Sequence, residues 1–142
     1  MASAVIRLLV DSGPLAGFLN ARDVWHAWSV TTFRNVDDVL YTCDAVLAET
    51  CHLVKASAVA VDRLMDMVES EIIVVLPIFP NEVVAVRALL QKYGPDRMDL
   101  ADACLVRMSE LYPDCRVITT DIMDFRIYRR NGRQAIPLIC PS

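Results

Sequence analysis

The sequence predicts an α/β protein with a central parallel β-sheet flanked by helices. Short runs of Val, Ile and Leu, typical of buried strands, alternate with segments whose apolar residues recur at helical spacing. This alternation indicates a parallel sheet with helices on both faces. With 142 residues, 55% of them hydrophobic and 23% charged, we expect one globular domain spanning residues 1–142.

Four apolar runs and one weaker segment are predicted as strands. The four runs are 5–10, 39–41, 72–76 and 116–120. The fifth, 134–138, contains Pro137, which confines it to the edge of a sheet because proline cannot donate a ladder hydrogen bond.

Helices are predicted between these strands from periodicity and from start and stop residues. Asp23, Thr42 and Ser57 are expected to cap helices, and Gly94-Pro95 is expected to end one. The predicted helices cover residues 15–19, 23–33, 43–54, 58–69, 80–93 and 98–106.

Charge and cysteine content limit the possible functions. A net charge of −4 argues against nucleic-acid binding by bulk charge, so any such binding should be local or metal-assisted. The five cysteines form no Cys-x-x-Cys pair, and neither histidine lies near a cysteine pair with ligand spacing. We therefore expect reduced thiols, no zinc site and a cytoplasmic location. No signal peptide and no membrane-spanning segment are expected.

Four acidic residues occupy positions that favour a common site. Asp11 and Asp121 each follow a predicted strand, and the carboxyl ends of parallel strands meet at one edge of the sheet, where ligands bind. Glu49 and Asp102 lie on apolar helix faces, where a lone carboxylate is costly without a partner. We expect these four carboxylates to converge.

Converging carboxylates would repel one another, and a hard divalent cation would resolve that conflict. Mg²⁺ and Mn²⁺ prefer oxygen ligands and retain several waters. Such a site suits phosphodiester hydrolysis, which then needs no protein nucleophile. Individually, each acid has a structural alternative: Asp11 and Asp121 as helix caps, Glu49 paired with His52, and Asp102 paired with Arg97 or Arg107.

Four stretches, in this order along the chain, resemble the motifs of PIN domains, and among these the small VapC-type toxin ribonucleases. They are Leu9-Val10-Asp11-Ser12-Gly13-Pro14-Leu15, Ala48-Glu49-Thr50, Met98-Asp99-Leu100-Ala101-Asp102-Ala103, and Ile118-Thr119-Thr120-Asp121 with Asp124-Phe125. One departure is Gly13, where many members carry a small polar residue.

The resemblance implies a three-layer α/β/α fold and a Mg²⁺-dependent (or Mn²⁺-dependent) endoribonuclease. Asp11, Glu49, Asp102 and Asp121 would form the catalytic metal site, with Asp99 as a supporting acid and Thr119 as a hydroxyl behind the ligands. It also implies an RNA substrate, a homodimer and a cognate antitoxin, as in a type II toxin–antitoxin system.

The Arg-rich segment 126–133 has two interpretations of equal weight. Arg126, Arg129 and Arg130 would contact substrate phosphates, or the segment is a solvated surface turn.

Three other functions stay open. The chain could be a stand-alone PIN nuclease in RNA processing, or a PIN-like binding domain without turnover. A Rossmann-like or flavodoxin-like domain ranks last, because Ser12-Gly13-Pro14 supplies one glycine where a phosphate-binding loop needs several.

Overall fold

The computed structural model describes residues 5–142, and the first four residues of the predicted domain lie outside it. Its strands are β1 (Leu8–Val10), β2 (Leu40–Thr42), β3 (Ile73–Val75), β4 (Arg116–Ile118), β5 (Arg129–Arg130), β6 (Gln134–Ala135) and β7 (Leu138–Ile139). Five of them form an all-parallel sheet in the order β3-β2-β1-β4-β7, while β5 and β6 pair as a separate antiparallel hairpin.

Helices connect the strands and flank the sheet, which confirms the predicted α/β architecture. They are α1 (Ser12–Leu19), α2 (His26–Arg34), α3 (Asp44–Leu53), α4 (Ala58–Glu69), α5 (Val83–Tyr93), α6 (Leu100–Leu111) and α7 (Ile122–Ile127). No helix within residues 5–142 combines the length and the apolar character needed to cross a membrane.

The central strand is β1, the first apolar run of the sequence. Its residue Leu9 lies opposite Tyr41 of β2 on one side and opposite Val117 of β4 on the other. All three residues of β1 are buried, as expected for a parallel strand covered on both faces. The residue that follows it, Asp11, therefore lies at the middle of the carboxyl edge of the sheet.

Three predicted helix starts are wrong in detail. Thr42 ends β2 instead of capping α3, and its hydroxyl donates to the carbonyl of Val10 at 2.9 Å. Asp23 accepts from the amide of Trp25 in the turn before α2, which begins at His26. Pro80 lies in a turn, and the helix that it was predicted to start begins at Val83.

The predicted edge strand 134–138 is divided in two. Gln134–Ala135 pairs with the Arg129–Arg130 strand, and Leu138–Ile139 continues the main sheet beside β4. Pro137 separates the two pieces, and its carbonyl accepts a hydrogen bond from the amide of Val117. Because proline lacks an amide donor, one continuous strand through this position is unfavourable.

Candidate active site

An acidic cavity of about 390 Å³ lies where the chain leaves β1 and β4. It contains every carboxylate proposed from the sequence together with two that were not proposed. Its acidic lining residues are Asp11, Glu49, Asp96, Asp99, Asp102, Asp121 and Asp124. Thus the structure brings together residues that are more than 100 positions apart in the sequence.

Asp11 is the most enclosed of these acids, with 4% of its surface exposed. Its Oδ1 accepts from the amide of Ser12 at 2.8 Å, and its Oδ2 accepts from the hydroxyl of Thr119 at 2.8 Å. The same Thr119 hydroxyl accepts from the amide of Asp121 at 3.0 Å. Thr119 therefore joins the two acids that follow the adjacent strands β1 and β4.

Three of the lining acids are also helix N-caps. Asp11 caps α1, Asp99 caps α6 through the amide of Asp102 at 2.8 Å, and Asp121 caps α7 through the amide of Asp124 at 3.3 Å. The capping interpretation and the shared-site interpretation of Asp11 and Asp121 are therefore compatible. Partial positive charge at the helix N-termini offsets some of the repulsion among these carboxylates.

Glu49 reaches the cavity from α3 and does not form the alternative pair with His52. Its Oε1 accepts a hydrogen bond from the hydroxyl of Ser12. Ser12 is the residue directly after Asp11, so this contact holds the α3 carboxylate beside the end of β1. The role of Ser12 was not predicted, since its position suggested a helix start.

Asp102 lies on the first turn of α6 and is 8% exposed. The two alternative arginine partners are engaged elsewhere: Arg107 with Glu82 and Glu110, and Arg97 with Asp124. Instead, the hydroxyl of Tyr128 lies 2.9 Å from Asp102 Oδ2 and 2.7 Å from the carbonyl of Arg97, and its single proton is shared between these two acceptors. Asp102 thus keeps a carboxylate in the cavity without a neutralising cation beside it.

Burial and mutual repulsion raise the pKa values of the acids. Burial raises the pKa of Asp11 to about 6, although the bonds from Thr119 and Ser12 act in the opposite direction. Burial, with the nearby charges of Asp99 and Asp11, raises the pKa of Asp102 to about 8. Burial and the neighbouring Asp99 carboxyl raise the pKa of Glu49 to about 7, and burial also raises the pKa of Asp121.

This donor set fits a hard divalent cation. Carboxylate oxygens are the ligands that Mg²⁺ and Mn²⁺ prefer, and a bound cation would offset the repulsion among these carboxylates. Within residues 5–142, no three Asp, Glu, His or Cys side chains are already arranged as ligands of one ion. Because Mg²⁺ usually binds one or two carboxylates directly and keeps several waters, that arrangement is not required.

Gly13 allows the β4 end to approach the start of α1. A Cβ atom at this position would collide with the hydroxyl of Thr120, which also lines the cavity. Glycine at position 13 therefore leaves room for the Thr120 side chain in the cavity wall.

Arg130 is predicted to contact substrate, but the structure buries its side chain. Arg130 is 4% exposed, and its Nη1 donates to the carbonyls of Ser109 and Pro113 at 3.1 and 3.0 Å, so it anchors the hairpin to the end of α6. Arg129 directs Nη1 to carbonyls of its own segment, and Arg126 is exposed on α7. None of the three lines the acidic cavity.

The cation that does reach the cavity is Arg97, which the sequence suggested only as a partner of Asp102. Among residues 5–142, it is the one Arg or Lys that lines this cavity. Its side chain is 41% exposed and pairs with Asp124 at 2.9 Å. Its position directly before Met98-Asp99, a stretch that contains a predicted site acid, could have indicated that it lies at this cavity.

A second, larger cavity of about 500 Å³ shares no residue with the acidic one. It is mainly apolar, with Phe18, Phe33 and Met67 in its wall. It contains no group of acids and no nucleophile beside a base, so the acidic cavity is the candidate active site.

The fold and the cavity together define an α/β/α protein with an acidic site at the carboxyl ends of its central parallel strands. The chain belongs to the PIN domain family, whose model matches residues 8–130. A comparison with curated protein sequences finds no match.

Two solved structures share the fold. The Mycobacterium tuberculosis toxin VapC20, described as cleaving the sarcin–ricin loop, is 17% identical, with a TM-score of 0.70 over 78% of this chain and 86% of that chain. The DNA-bound VapBC from Salmonella typhimurium is 15% identical, with a TM-score of 0.58 over 96% and 98% of the two chains.

Proposed function

We propose that this chain is a divalent-metal-dependent endoribonuclease and the toxin of a toxin–antitoxin pair. The observation that carries the proposal is the convergence of Asp11, Glu49, Asp102 and Asp121, from four separate elements, on one cavity. Membership of the PIN domain family and the fold shared with VapC20, a toxin described as cleaving RNA of the sarcin–ricin loop, support the same activity.

In this proposal Asp11 and Asp102 are the principal cation ligands. Glu49 and Asp121 complete the site, partly through waters, and Asp99 supports it at the rim. When bound, Mg²⁺ or Mn²⁺ would supply the positive charge that polarises the phosphate and activates an attacking water.

The chain's own residues orient this site. Thr119 and Ser12 hold the Asp11 carboxylate through the two hydrogen bonds to its oxygens, so that it does not rotate away from the cavity. Ser12 also holds Glu49. Fixing carboxylates in advance reduces the reorganisation needed when the phosphate arrives.

Arg97 is the proposed phosphate contact inside the cavity. A guanidinium binds phosphate oxygens through two parallel hydrogen bonds, and this side chain is exposed enough to leave Asp124 for a substrate. Arg126, exposed on α7, and Arg129 remain proposed contacts to more distant phosphates, where they would not touch the reacting group.

A cognate antitoxin is the proposed partner, supported by the fold shared with the toxin–antitoxin complex VapBC. The homodimer expected from the family resemblance is proposed with it.

The proposal is tested by measuring Mn²⁺ binding to the purified chain and by incubating the chain with ribosomal and messenger RNA in Mg²⁺, in Mn²⁺ and in EDTA. We expect discrete cleavage products with either cation, none in EDTA, and recovery when excess Mg²⁺ is restored. Binding of Mn²⁺ without cleavage of ribosomal or messenger RNA would contradict it and favour a PIN-like binding domain without turnover.

A further inference from the structure

Tyr128 is a buried residue whose hydroxyl contacts Asp102, one of the acids that line the cavity. None of its surface is exposed, and its ring packs edge-on against Tyr93 and Phe125 with centroid distances of 5.0 and 5.2 Å. The ring is therefore fixed in direction from two sides, and the position of its hydroxyl is set by the packing of the aromatic cluster.

The hydroxyl lies between two acceptors that belong to different parts of the site. It is 2.9 Å from Asp102 Oδ2 and 2.7 Å from the backbone carbonyl of Arg97. Asp102 is a proposed cation ligand, and Arg97 is the proposed phosphate contact. One rigid side chain thus contacts both a lining carboxylate and the backbone of the residue that carries the cavity's arginine.

We propose that Tyr128 is a positioning residue, which orients the Asp102 carboxylate for cation binding and ties the Arg97 segment to it. This inference rests on the proposed function for the role of the cation. It does not make Tyr128 a catalytic residue, because the hydroxyl touches a proposed ligand and not the substrate.

The Asp102 carboxyl group can rotate away from a cation unless a neighbouring group holds its orientation. Within residues 5–142, Asp102 forms no ion pair, so the Tyr128 hydroxyl, whose proton it shares with the Arg97 carbonyl, is the side-chain contact that limits the rotation of its carboxyl group. Hydrogen-bond partners behind a ligand fix its orientation, and removing one typically lowers metal affinity by about 10- to 100-fold.

Tyr93 provides a matched control inside the same aromatic cluster. Its hydroxyl accepts from the amide of Arg129 at 2.9 Å and, within residues 5–142, forms no hydrogen bond with an acid of the cavity. Tyr128→Phe and Tyr93→Phe each keep the ring and remove one hydroxyl, so they differ in whether the lost contacts reach Asp102 and the Arg97 carbonyl.

The experiment measures Mn²⁺ affinity by calorimetry, with Tm and RNA cleavage recorded for the same three proteins: the unmodified chain, Tyr128→Phe and Tyr93→Phe. We expect Tyr128→Phe to bind Mn²⁺ about 10-fold more weakly and to need correspondingly more Mg²⁺ for cleavage, while the KM for RNA changes little. Tyr93→Phe should match the unmodified chain in Mn²⁺ affinity, with a similar small fall in Tm.

Equal Mn²⁺ affinity of Tyr128→Phe and the unmodified chain would overturn the inference, as would an equal loss in both variants. An unmodified chain that binds Mn²⁺ but cleaves no RNA contradicts the proposed function alone, because the affinity comparison still decides the role of Tyr128. Absence of Mn²⁺ binding by the unmodified chain would overturn both.

Discussion

The hydroxyl of Thr119 donates to Asp11 Oδ2 at 2.8 Å, and this bond joins the acids at the ends of two neighbouring strands. The same hydroxyl accepts from the amide of Asp121. A side chain that was expected only to support the site therefore determines how its two strand-end acids are spaced.

Thr119→Val should shift Mn²⁺ binding to higher pH. The hydrogen bond lowers the pKa of Asp11, whose carboxyl must lose its proton to bind a cation. A hydrogen bond to a charged group contributes about 1.5 kcal/mol or more, which corresponds to about one pH unit. Mn²⁺ affinity measured from pH 5 to pH 8 checks this, with exposed Thr31→Val as the control. Identical pH dependence in both variants would refute the role of Thr119.

Without a divalent cation, the chain should lose stability as the pH rises from about 4 towards 8. Burial raises the pKa of Asp102 from 3.8 to about 8, so in this window the folded chain binds a proton that the unfolded chain has released. Because the folded state then binds more protons, unfolding becomes easier with increasing pH.

Asp102→Asn removes the free-energy cost of keeping an ionised carboxylate buried at high pH. Its Tm in EDTA at pH 8 should exceed that of the unmodified chain by about 3 °C, the shift that 1 kcal/mol gives for a chain of this size. At pH 4.5 the difference should largely disappear. A Tm of Asp102→Asn below that of the unmodified chain at pH 8 would show that the carboxylate stabilises the fold.

Arg97→Ala should weaken RNA binding more than it weakens catalysis. Loss of a charge-assisted phosphate contact is expected to raise KM about 10-fold, equivalent to about 1.4 kcal/mol, with a smaller change in kcat. Steady-state cleavage of one RNA oligonucleotide provides the comparison. Arg87→Ala, which removes an exposed arginine of α5 outside the cavity, is the matched control. An equal KM in both variants would exclude the proposed contact.

Arg130→Ala should destabilise the fold, whereas Arg126→Ala should not. Truncating Arg130 leaves the buried carbonyl of Ser109 and the carbonyl of Pro113 without their donor, at a cost of about 2 kcal/mol. Urea unfolding at pH 5 measures both variants, and Arg126 is the exposed control from the same segment. A stable Arg130→Ala that binds RNA poorly would restore the substrate-contact interpretation.

The architecture was predictable because each apolar run is bounded by a charged residue, a proline or a turn residue in the local sequence. Short, mostly apolar runs form the strands of the parallel sheet, and Asp11 follows the first of them at the central position of that sheet. The convergence of Asp11, Glu49, Asp102 and Asp121 was also predictable, since strand ends share an edge and charged residues on apolar helix faces need partners.

The polar contacts behind these acids were not predictable from local sequence. Tyr128 reaches Asp102 only because β5, which directly follows it, packs against α6, a tertiary relationship without a sequence signal. The burial of Arg130 was equally unpredictable. An arginine in a charged segment is expected to be exposed, but two backbone carbonyls at the end of α6 accept its hydrogen bonds and allow it to be buried.

The central claim is that the Asp11 carboxylate takes part in cation-dependent RNA hydrolysis. The most direct measurement compares RNA cleavage by the unmodified chain, Asp11→Asn and Asp44→Asn in Mg²⁺, each prepared free of contaminating ribonuclease. Asp44→Asn removes an exposed carboxylate of α3 outside the cavity. The account predicts no detectable cleavage by folded Asp11→Asn and full activity of Asp44→Asn. Cleavage by Asp11→Asn at the unmodified rate would contradict it.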